Sequence, residues 1–455
     1  MKKIDKDQGF AAQVKNLCEV AERCMLKNNQ IDMYEEYFKD EESEHVVENI
    51  STKTMMLFKD PPGICKRSVS EISWHAENPA KLAASYAINR FQQTPDKMKT
   101  ESYVWDLSNP NEPEVALNSP SPVTNLSYNH KLTDIIGGGC ANGIVGIWDS
   151  RKGKDPVGLS HVEKSHNDPV THFQWQMTKT GQECVTVSTD GYAHFWDIRK
   201  LKEDRVESLT IKDFDSNGQE IVIGATALEN SPEAATKYII GTEQGTLVIA
   251  NKKPKRAVEI STRLGANDRH LGPVYSIARN LQFPKVFMTM GDWSAKLWMD
   301  DLKTPLIKTK YHDSYISDGC FSPTRIGAFF LTRKDGWLDV WDYYYRQNEV
   351  AFSHKVSTAP LTSIKINYSG SGNQITGGKV AAIGDEDGTV TILELCESLY
   401  TMQKNERDIM ADIFNREMVK EKNLEALRRL QEMEKKRVPK DMNAIQKKIE
   451  ERKAE

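Results

Sequence analysis

The stretch that decides the fold is Asp190-Gly191-Tyr192-Ala193-His194-Phe195-Trp196-Asp197, because its pattern returns along the chain. It opens with Asp-Gly between apolar runs, which is among the strongest short-range signals for a hairpin because both turn residues tolerate positive φ. An apolar run then leads to Trp196, five residues after the glycine. The stretch therefore predicts a β-hairpin whose second strand ends on a large aromatic ring.

Similar stretches end at four other tryptophans, and two degenerate copies fill the gaps between them. The seven terminal positions are Trp105, Trp148, Trp196, Ala250, Trp298, Trp341 and Leu393, at steps of 43, 48, 54, 48, 43 and 52 residues. A period near 40–50 residues with a Trp-Asp signature is typical of four-stranded propeller blades. A single blade cannot bury both faces of its sheet, so neighbouring blades must stack.

The repeats resemble the WD40 family, which implies an all-β fold, a seven-bladed β-propeller with a short N-terminal extension and a C-terminal helix. We place the propeller at 66–395. Residues 1–65 form the N-terminal extension, with a short helix, an acidic-aromatic segment and a strand at 53–58 that we expect to close the last blade. Residues 396–455 are expected to form a charged helical tail, solvent-exposed and broken near Pro439.

Composition excludes several classes of protein. Lys and Arg total 61 against 65 for Asp and Glu, a net charge of −4. This balance gives no global field for nucleic acid or an anionic membrane. We find no secretory signal and no apolar run long enough for a membrane span. The seven scattered cysteines lack a Cys-x-x-Cys pair, so we expect free thiols in the cytoplasm and no metal site.

Histidines precede the first apolar strand of several repeats, at His166, His270 and His312. In WD40 sequences a histidine at this place commonly joins a structural hydrogen-bond set, here with Asp190 and Trp196. A Ser/His/Asp enzyme is the alternative, but it needs a nucleophile elbow that the sequence lacks. There is also no phosphate-binding loop. We therefore predict no catalytic residue and no cofactor, and we assign the tryptophans that end the repeats, His166 and Asp190 to the blade structure.

A narrower resemblance rests on Gly291–Trp298, with the sequence GDWSAKLW, which is similar to a hallmark of dynein intermediate chains. Trp196–Lys200 and the segment around Tyr34 resemble the axonemal outer-arm branch of that family. Candidate partner-binding residues are Tyr34, Tyr37, Phe38, Asp292, Trp293, Tyr311, Leu424 and Leu427.

This resemblance implies a non-catalytic subunit of a ciliary or flagellar motor, located in the axonemal cytoskeleton. The implied partners are a dynein heavy-chain tail, a second intermediate chain, light chains on the N-terminal extension and, through the complex, the doublet microtubule. The extension here is shorter than in the family, and the tail is mildly basic where the family has an acidic region. A cytosolic WD40 adaptor, such as a cytoplasmic dynein intermediate chain or a dynein assembly or transport scaffold, is the alternative.

Overall fold

Seven four-stranded antiparallel sheets make up most of the computed structural model. The structure describes residues 8–30, 50–88, 95, 98–214, 219–230, 236–252, 258–265, 268–370 and 375–454. In each sheet the strands follow one another as a meander, with one exception in the last sheet. The all-β, seven-bladed propeller expected from the repeats is confirmed.

The first three blades cover 68–210. Blade 1 holds β2 (Ser68–Trp74), β3 (Lys81–Ala87), β4 (Ser102–Asp106) and β5 (Val115–Leu117). Blade 2 holds β6 (Val123–Tyr128), β7 (Ile135–Cys140), β8 (Val145–Asp149) and β9 (Gly158–Leu159). Blade 3 holds β10 (Val170–Trp175), β11 (Glu183–Ser188), β12 (Tyr192–Asp197) and β13 (Glu207–Thr210), and a small hairpin follows it, β14 (Lys212–Phe214) with β15 (Glu220–Val222).

The next three blades cover 225–355. Blade 4 holds β16 (Ala225–Asn230), β17 (Lys237–Thr242), β18 (Leu247–Asn251) and β19 (Glu259–Leu264). Blade 5 holds β20 (Ser276–Arg279), β21 (Val286–Met290), β22 (Ala295–Met299) and β23 (Ile307–Lys308). Blade 6 holds β24 (Ile316–Phe321), β25 (Ala328–Arg333), β26 (Trp337–Asp342) and β27 (Phe352–Lys355).

Blade 7 combines both ends of the propeller sequence. Its inner strands are β28 (Leu361–Ser369), β29 (Thr376–Asp385) and β30 (Thr389–Leu395), and its outer strand is β1 (Thr52–Lys59). Thr52 pairs with Leu395 and Lys59 with Thr389. The first strand of every blade contacts the first strands of both neighbours, including β2 with β28. The ring is therefore closed by the strand at the position that the sequence suggested.

The repeat glycines and tryptophans have separate roles in a blade. The five turn glycines all have positive φ, between +80° and +88°: Gly143, Gly191, Gly245, Gly336 and Gly388. At Gly143 a Cβ atom would also lie 2.0 Å from the carbonyl oxygen of His166, so only glycine fits this turn. The five repeat tryptophans, Trp105, Trp148, Trp196, Trp298 and Trp341, are buried.

In the part of the chain that the structure describes, three α-helices lie outside the blades. Helix α1 (Gln8–Gln30) belongs to a separate compact unit, residues 1–49, and its described side chains are exposed. Helix α2 (Glu397–Tyr400) and helix α3 (Glu406–Ala454) follow blade 7.

The structure differs from the expected tail in two respects. Helix α3 continues through Pro439 without a break, because a proline removes one backbone hydrogen bond and the helix can persist on either side. The first turns of α3 are also not solvent-exposed: Met410, Ile413 and Phe414 are buried in the apolar cluster of blades 5 and 6.

Candidate functional site

The meander gives the propeller two different faces. In each blade, the turn between the second and third strands and the connection to the next blade lie at one end, which we call the upper face. The other two turns lie at the opposite end, the lower face. Helices α2 and α3 follow the end of β30, so they begin at the lower face. Loops on such faces are the usual binding surfaces of a rigid scaffold.

Beneath the upper face of blade 3, the structure brings together the residues that the sequence grouped. Nδ1 of His166 lies 3.0 Å from Oδ2 of Asp190, and its Nε2 lies 2.8 Å from Oγ1 of Thr186. The Nε1–H of Trp196 donates to the same hydroxyl at 2.9 Å. The set therefore ties the loop before the blade, the turn and two strands to one another, and the His166 imidazole and the Thr186 hydroxyl are both buried.

Blade 5 repeats this set with His270, Thr289, Asp292 and Trp298. Nε2 of His270 and Nε1–H of Trp298 both contact Oγ1 of Thr289 at 2.8 Å. Nδ1 of His270 lies 3.2 Å from Oδ1 of Asp292. Thr289 was not among the sequence candidates. Its position nevertheless matches that of Thr186: each threonine lies two residues after the residue that pairs with the blade tryptophan across the sheet.

Blade 6 departs from this arrangement at one position. Phe329 pairs with Trp341 across the sheet, and the residue two positions later, where blades 3 and 5 have threonine, is Leu331. His312 turns to Asp339 on the third strand instead, with Nδ1 and Oδ2 2.7 Å apart. Among the described residues, Nε2 of His312 and Nε1 of Trp341 are left without a hydrogen-bond partner.

Asp292, which the sequence suggested as a partner-binding residue, is placed inside the protein with 1% of its surface exposed. Its carboxylate accepts hydrogen bonds from the backbone N–H of Leu271 at 3.2 Å and from that of Ser294 at 2.8 Å. Burial alone would raise the pKa of Asp292, but the His270 ring and these donors outweigh it and hold the pKa far below its usual value. Asp292 therefore holds the loop before blade 5, through Leu271, against the turn between β21 and β22, through Ser294.

Trp293, the next residue, begins an aromatic platform on the upper face. Its ring stacks on Tyr315 with 4.3 Å between centroids. Nζ of Lys334 lies 4.7 Å from the centroid of Tyr275 and 5.9 Å from that of Tyr315. We define the platform as these four residues together with two more exposed side chains at its margin, Leu271 at 75% and Tyr311 at 71%.

The mouth of the central channel opens beside this platform. In blades 1 to 4, a hydroxyl near the start of the first strand donates to a backbone carbonyl of the next blade, through Ser70, Thr124, Thr171 and Thr226. The equivalent residue of blade 5 is Tyr275, and that of blade 6, Ser317, bonds within its own blade. A cavity of about 950 Å³ reaches from Tyr275, Ser317 and Lys334 of blades 5 and 6 to blades 7 and 1, which supply most of its lining, Thr362 included.

Charged groups line the channel below the mouth. Nζ of Lys365 lies 3.0 Å from Oε1 of Glu71, and the Lys365 side chain remains 36% exposed because the channel is hollow. Burial raises the pKa of Glu229 to about 7, although Arg279 and Lys365 oppose the shift. Burial also lowers the pKa of His172 to about 3, so this imidazole is neutral near pH 7.

A buried ion cluster joins the lower face to the C-terminal helices. The Arg325 guanidinium donates to Asp342 at 2.7 Å and to Glu406 at 3.1 Å, and it also reaches the carbonyl of Ser398 at 2.8 Å. The second oxygen of Glu406 accepts from the backbone N–H of Gly327 at 3.0 Å. Burial would lower the pKa of Arg325, but Asp342 and Glu406 outweigh it and raise the pKa.

The tail candidates lie further along α3. Leu424 is partly buried and Leu427 is 54% exposed. Three other candidates, Tyr34, Tyr37 and Phe38, lie outside the described residues. Sequence reasoning missed the platform residues Tyr275, Tyr315 and Lys334 and the cluster of Arg325 with Glu406, because each set joins residues far apart in the chain with no shared motif.

Two other kinds of site are absent from the described residues. No three or more of their His, Cys, Asp and Glu side chains are grouped as metal ligands. None of the helices in that part of the chain combines the length and apolar character of a membrane span. All seven cysteines are free.

Comparison with known proteins gives one consistent family. The family model described as the dynein axonemal intermediate chain 3 WD40 domain matches residues 52–173 and 217–395. Dynein intermediate chain 3, ciliary, of Heliocidaris crassispina is 42% identical over 94% of this chain and 70% of its own length. Dynein axonemal intermediate chain 2 of Mus musculus is 43% identical over 94% and 67%.

A third relative carries a flagellar name. The dynein 70 kDa intermediate chain of the flagellar outer arm of Chlamydomonas reinhardtii is 38% identical over 93% of this chain and 73% of its own length. These matches extend beyond the propeller and include most of the chain. The chain therefore belongs to the WD40 axonemal dynein intermediate chain family, in its outer-arm intermediate chain 2 branch, and its location is the axoneme of cilia or flagella.

Proposed function

We propose that this dynein intermediate chain is a non-catalytic scaffold that binds a dynein heavy-chain tail through the aromatic platform of its upper face. The observation that carries the proposal is the stack of Trp293 on Tyr315 beside Lys334 and Tyr275. Tryptophan and tyrosine, together with arginine, dominate binding energy at protein interfaces. The Asp292 hydrogen bonds support the platform from below, so its rings need little ordering when a partner binds.

The wider partner set follows from the family. A second intermediate chain would lie beside the propeller, and dynein light chains would bind the N-terminal extension, where the apolar side chains of α1 are exposed. The complex as a whole would be anchored on the doublet microtubule and would serve arm assembly and motility. The relatives that match most of the chain carry axonemal names, which favours this assignment over a cytoplasmic adaptor.

The test is co-purification of the full chain with a dynein heavy-chain tail. Replacing Trp293 and Tyr311 with alanine should weaken the complex by about 100-fold or more, as expected for two interface residues worth about 2 kcal/mol each. Tyr345→Ala is the matched control, since Tyr345 is also exposed but follows the third strand of blade 6, at the lower face. A double variant that retains full affinity would refute the platform as the heavy-chain site.

A further inference from the structure

Helix α3 has two faces with different roles. Residues that contact or approach the propeller recur on one face: Glu406, Met410, Ile413, Phe414 and Met418. Glu421 continues this face, because the hydroxyl of Thr304 donates to its carboxylate at 3.2 Å. At about 100° per residue, the opposite face of the helix points away from the propeller.

That opposite face carries a second apolar stripe. From Val419 the side chains on it follow at alternating steps of four and three residues: Val419, Asn423, Ala426, Leu430 and Met433. All five are exposed, and Val419, Leu430 and Met433 are each more than half exposed. The alternation is the a/d seam of a coiled coil, with Asn423 and Leu430 at a and the other three at d.

The charged residues at the flanking positions of this seam are all basic, and Leu427 occupies the e position after Ala426. Lys422 and Arg429 occupy the g positions before each a residue, and Lys420 occupies the e position after Val419. The nearby acids Glu417, Glu421 and Glu425 lie at b, f and c positions, respectively, on the side of the propeller. The exposed pairs of Lys420 with Glu417 and of Arg429 with Glu425 contribute little energy and leave the cations free to change partners.

We propose that the seam Val419–Met433 binds an amphipathic helix of another protein that carries acidic residues at its own e and g positions. Charges at e and g select the partner in coiled coils, and a polar residue at a fixes the register. A second copy of this chain would place basic g and e positions against each other. A membrane surface fits less well, because the stripe is narrow, contains an asparagine and has no aromatic residue.

The docked part of the helix makes such a short seam workable. Two heptads are few for an isolated coiled coil, but here Glu406 and Phe414 already hold α3 against the lower face. The partner helix therefore does not have to induce folding of this one, which lowers the entropy cost of association. This surface is separate from the platform on the upper face, so the two proposals can fail independently.

The probe is a synthetic helix with leucine at d, asparagine at the a position facing Asn423, and glutamate at all e and g positions. Its binding to the full chain is measured by fluorescence anisotropy, with a lysine version of the peptide as the comparison. We expect the glutamate peptide to bind at least 10-fold more tightly. Lys420→Glu combined with Lys422→Glu and Arg429→Glu should reverse that preference, whereas Arg428→Glu, at an f position, and Trp293→Ala should not.

A second measurement tests the seam in assembled dynein arms. A photo-crosslinking residue at position 426 should join to a segment of another subunit with acidic e and g positions, identified by mass spectrometry, and the same residue at position 428 should not. Equal binding of the two peptides, or crosslinks to a second copy of this chain, would overturn the proposal. The proposal would also be overturned if the chain bound phosphatidylserine vesicles and the triple charge reversal abolished that binding.

Discussion

The two faces of the propeller differ in whether the protein's own C-terminal helix covers them. On the lower face the chain covers itself: α3 buries Met410 and Phe414 there, and Arg325 joins two carboxylates beneath it. On the upper face, none of the described residues of 50–454 covers the Trp293 platform in this way. The protein therefore uses its own C-terminal helix to bury apolar side chains on one face and leaves aromatic rings exposed on the other. This contrast supports the proposal that the exposed rings serve to bind a partner.

The largest effect should come from the ion cluster of the lower face. Arg325→Met leaves Asp342 and Glu406 buried without their cation, and we expect a loss of about 3–5 kcal/mol of unfolding free energy. Thermal unfolding measures the loss, and hydrogen exchange should show faster exchange in the first turns of α3. Arg416→Met, which removes an exposed arginine from the same helix, is the control. If α3 exchanges unchanged in the Arg325 variant, the helix is not held by this cluster.

A smaller effect is expected in the hydrogen-bond sets beneath the upper face. Thr289→Val strands Nε2 of His270 and Nε1 of Trp298, at a cost of about 1–3 kcal/mol. Blade 6 supplies the control, because Leu331 already occupies the equivalent position and Leu331→Met should cost less than about 1.5 kcal/mol. If the melting temperature falls equally in the two variants, the hydrogen bonds of Thr289 do not stabilise blade 5 more than Leu331 stabilises blade 6.

The channel between the faces should show a pH-dependent effect. The pKa of Glu229 is about 7 in the folded chain against 4.5 for the ordinary group, so the folded state holds this proton more tightly. Stability from this carboxyl group is present at low pH and is lost as the pH rises from about 4.5 to 7. Glu229→Gln should therefore raise the unfolding free energy by about 1–3 kcal/mol at pH 8 and little at pH 4.5. A gain that is independent of pH would contradict this.

The smallest effect on stability should come from the platform itself. Trp293→Ala removes an aromatic stack and should cost about 0.5–1.5 kcal/mol. The same variant is expected to lose most of its affinity for the heavy-chain tail. Calorimetry on the isolated chain separates the two roles. A loss of stability as large as that of Arg325→Met would mean that Trp293 is a core residue and the contrast between the faces is not functional.

The parts of the molecule that repeat in sequence were the parts that sequence could predict. Turn glycines such as Gly191 and tryptophans such as Trp196 recur at a fixed period, so the blades and the His166 set follow from spacing. The Arg325 cluster and the stack of Trp293 on Tyr315 have no period, and both need the ring before their members meet. Asp292 and Trp293 are adjacent in sequence, yet backbone direction at one turn buries the first and leaves the second half-buried against Tyr315.

The closing strand β1 has a consequence for how the ribosome delivers this protein. Its hydrogen-bond partner β30 ends at Leu395, so the strand at Thr52–Lys59 emerges more than 300 residues before the strand that completes it. At synthesis rates of about 5–20 residues per second, that interval lasts some tens of seconds. Throughout it, blade 1 has no neighbour on one side and β1 presents an unpaired edge. Nascent chains of this protein should therefore need protection by chaperones until synthesis has passed blade 7.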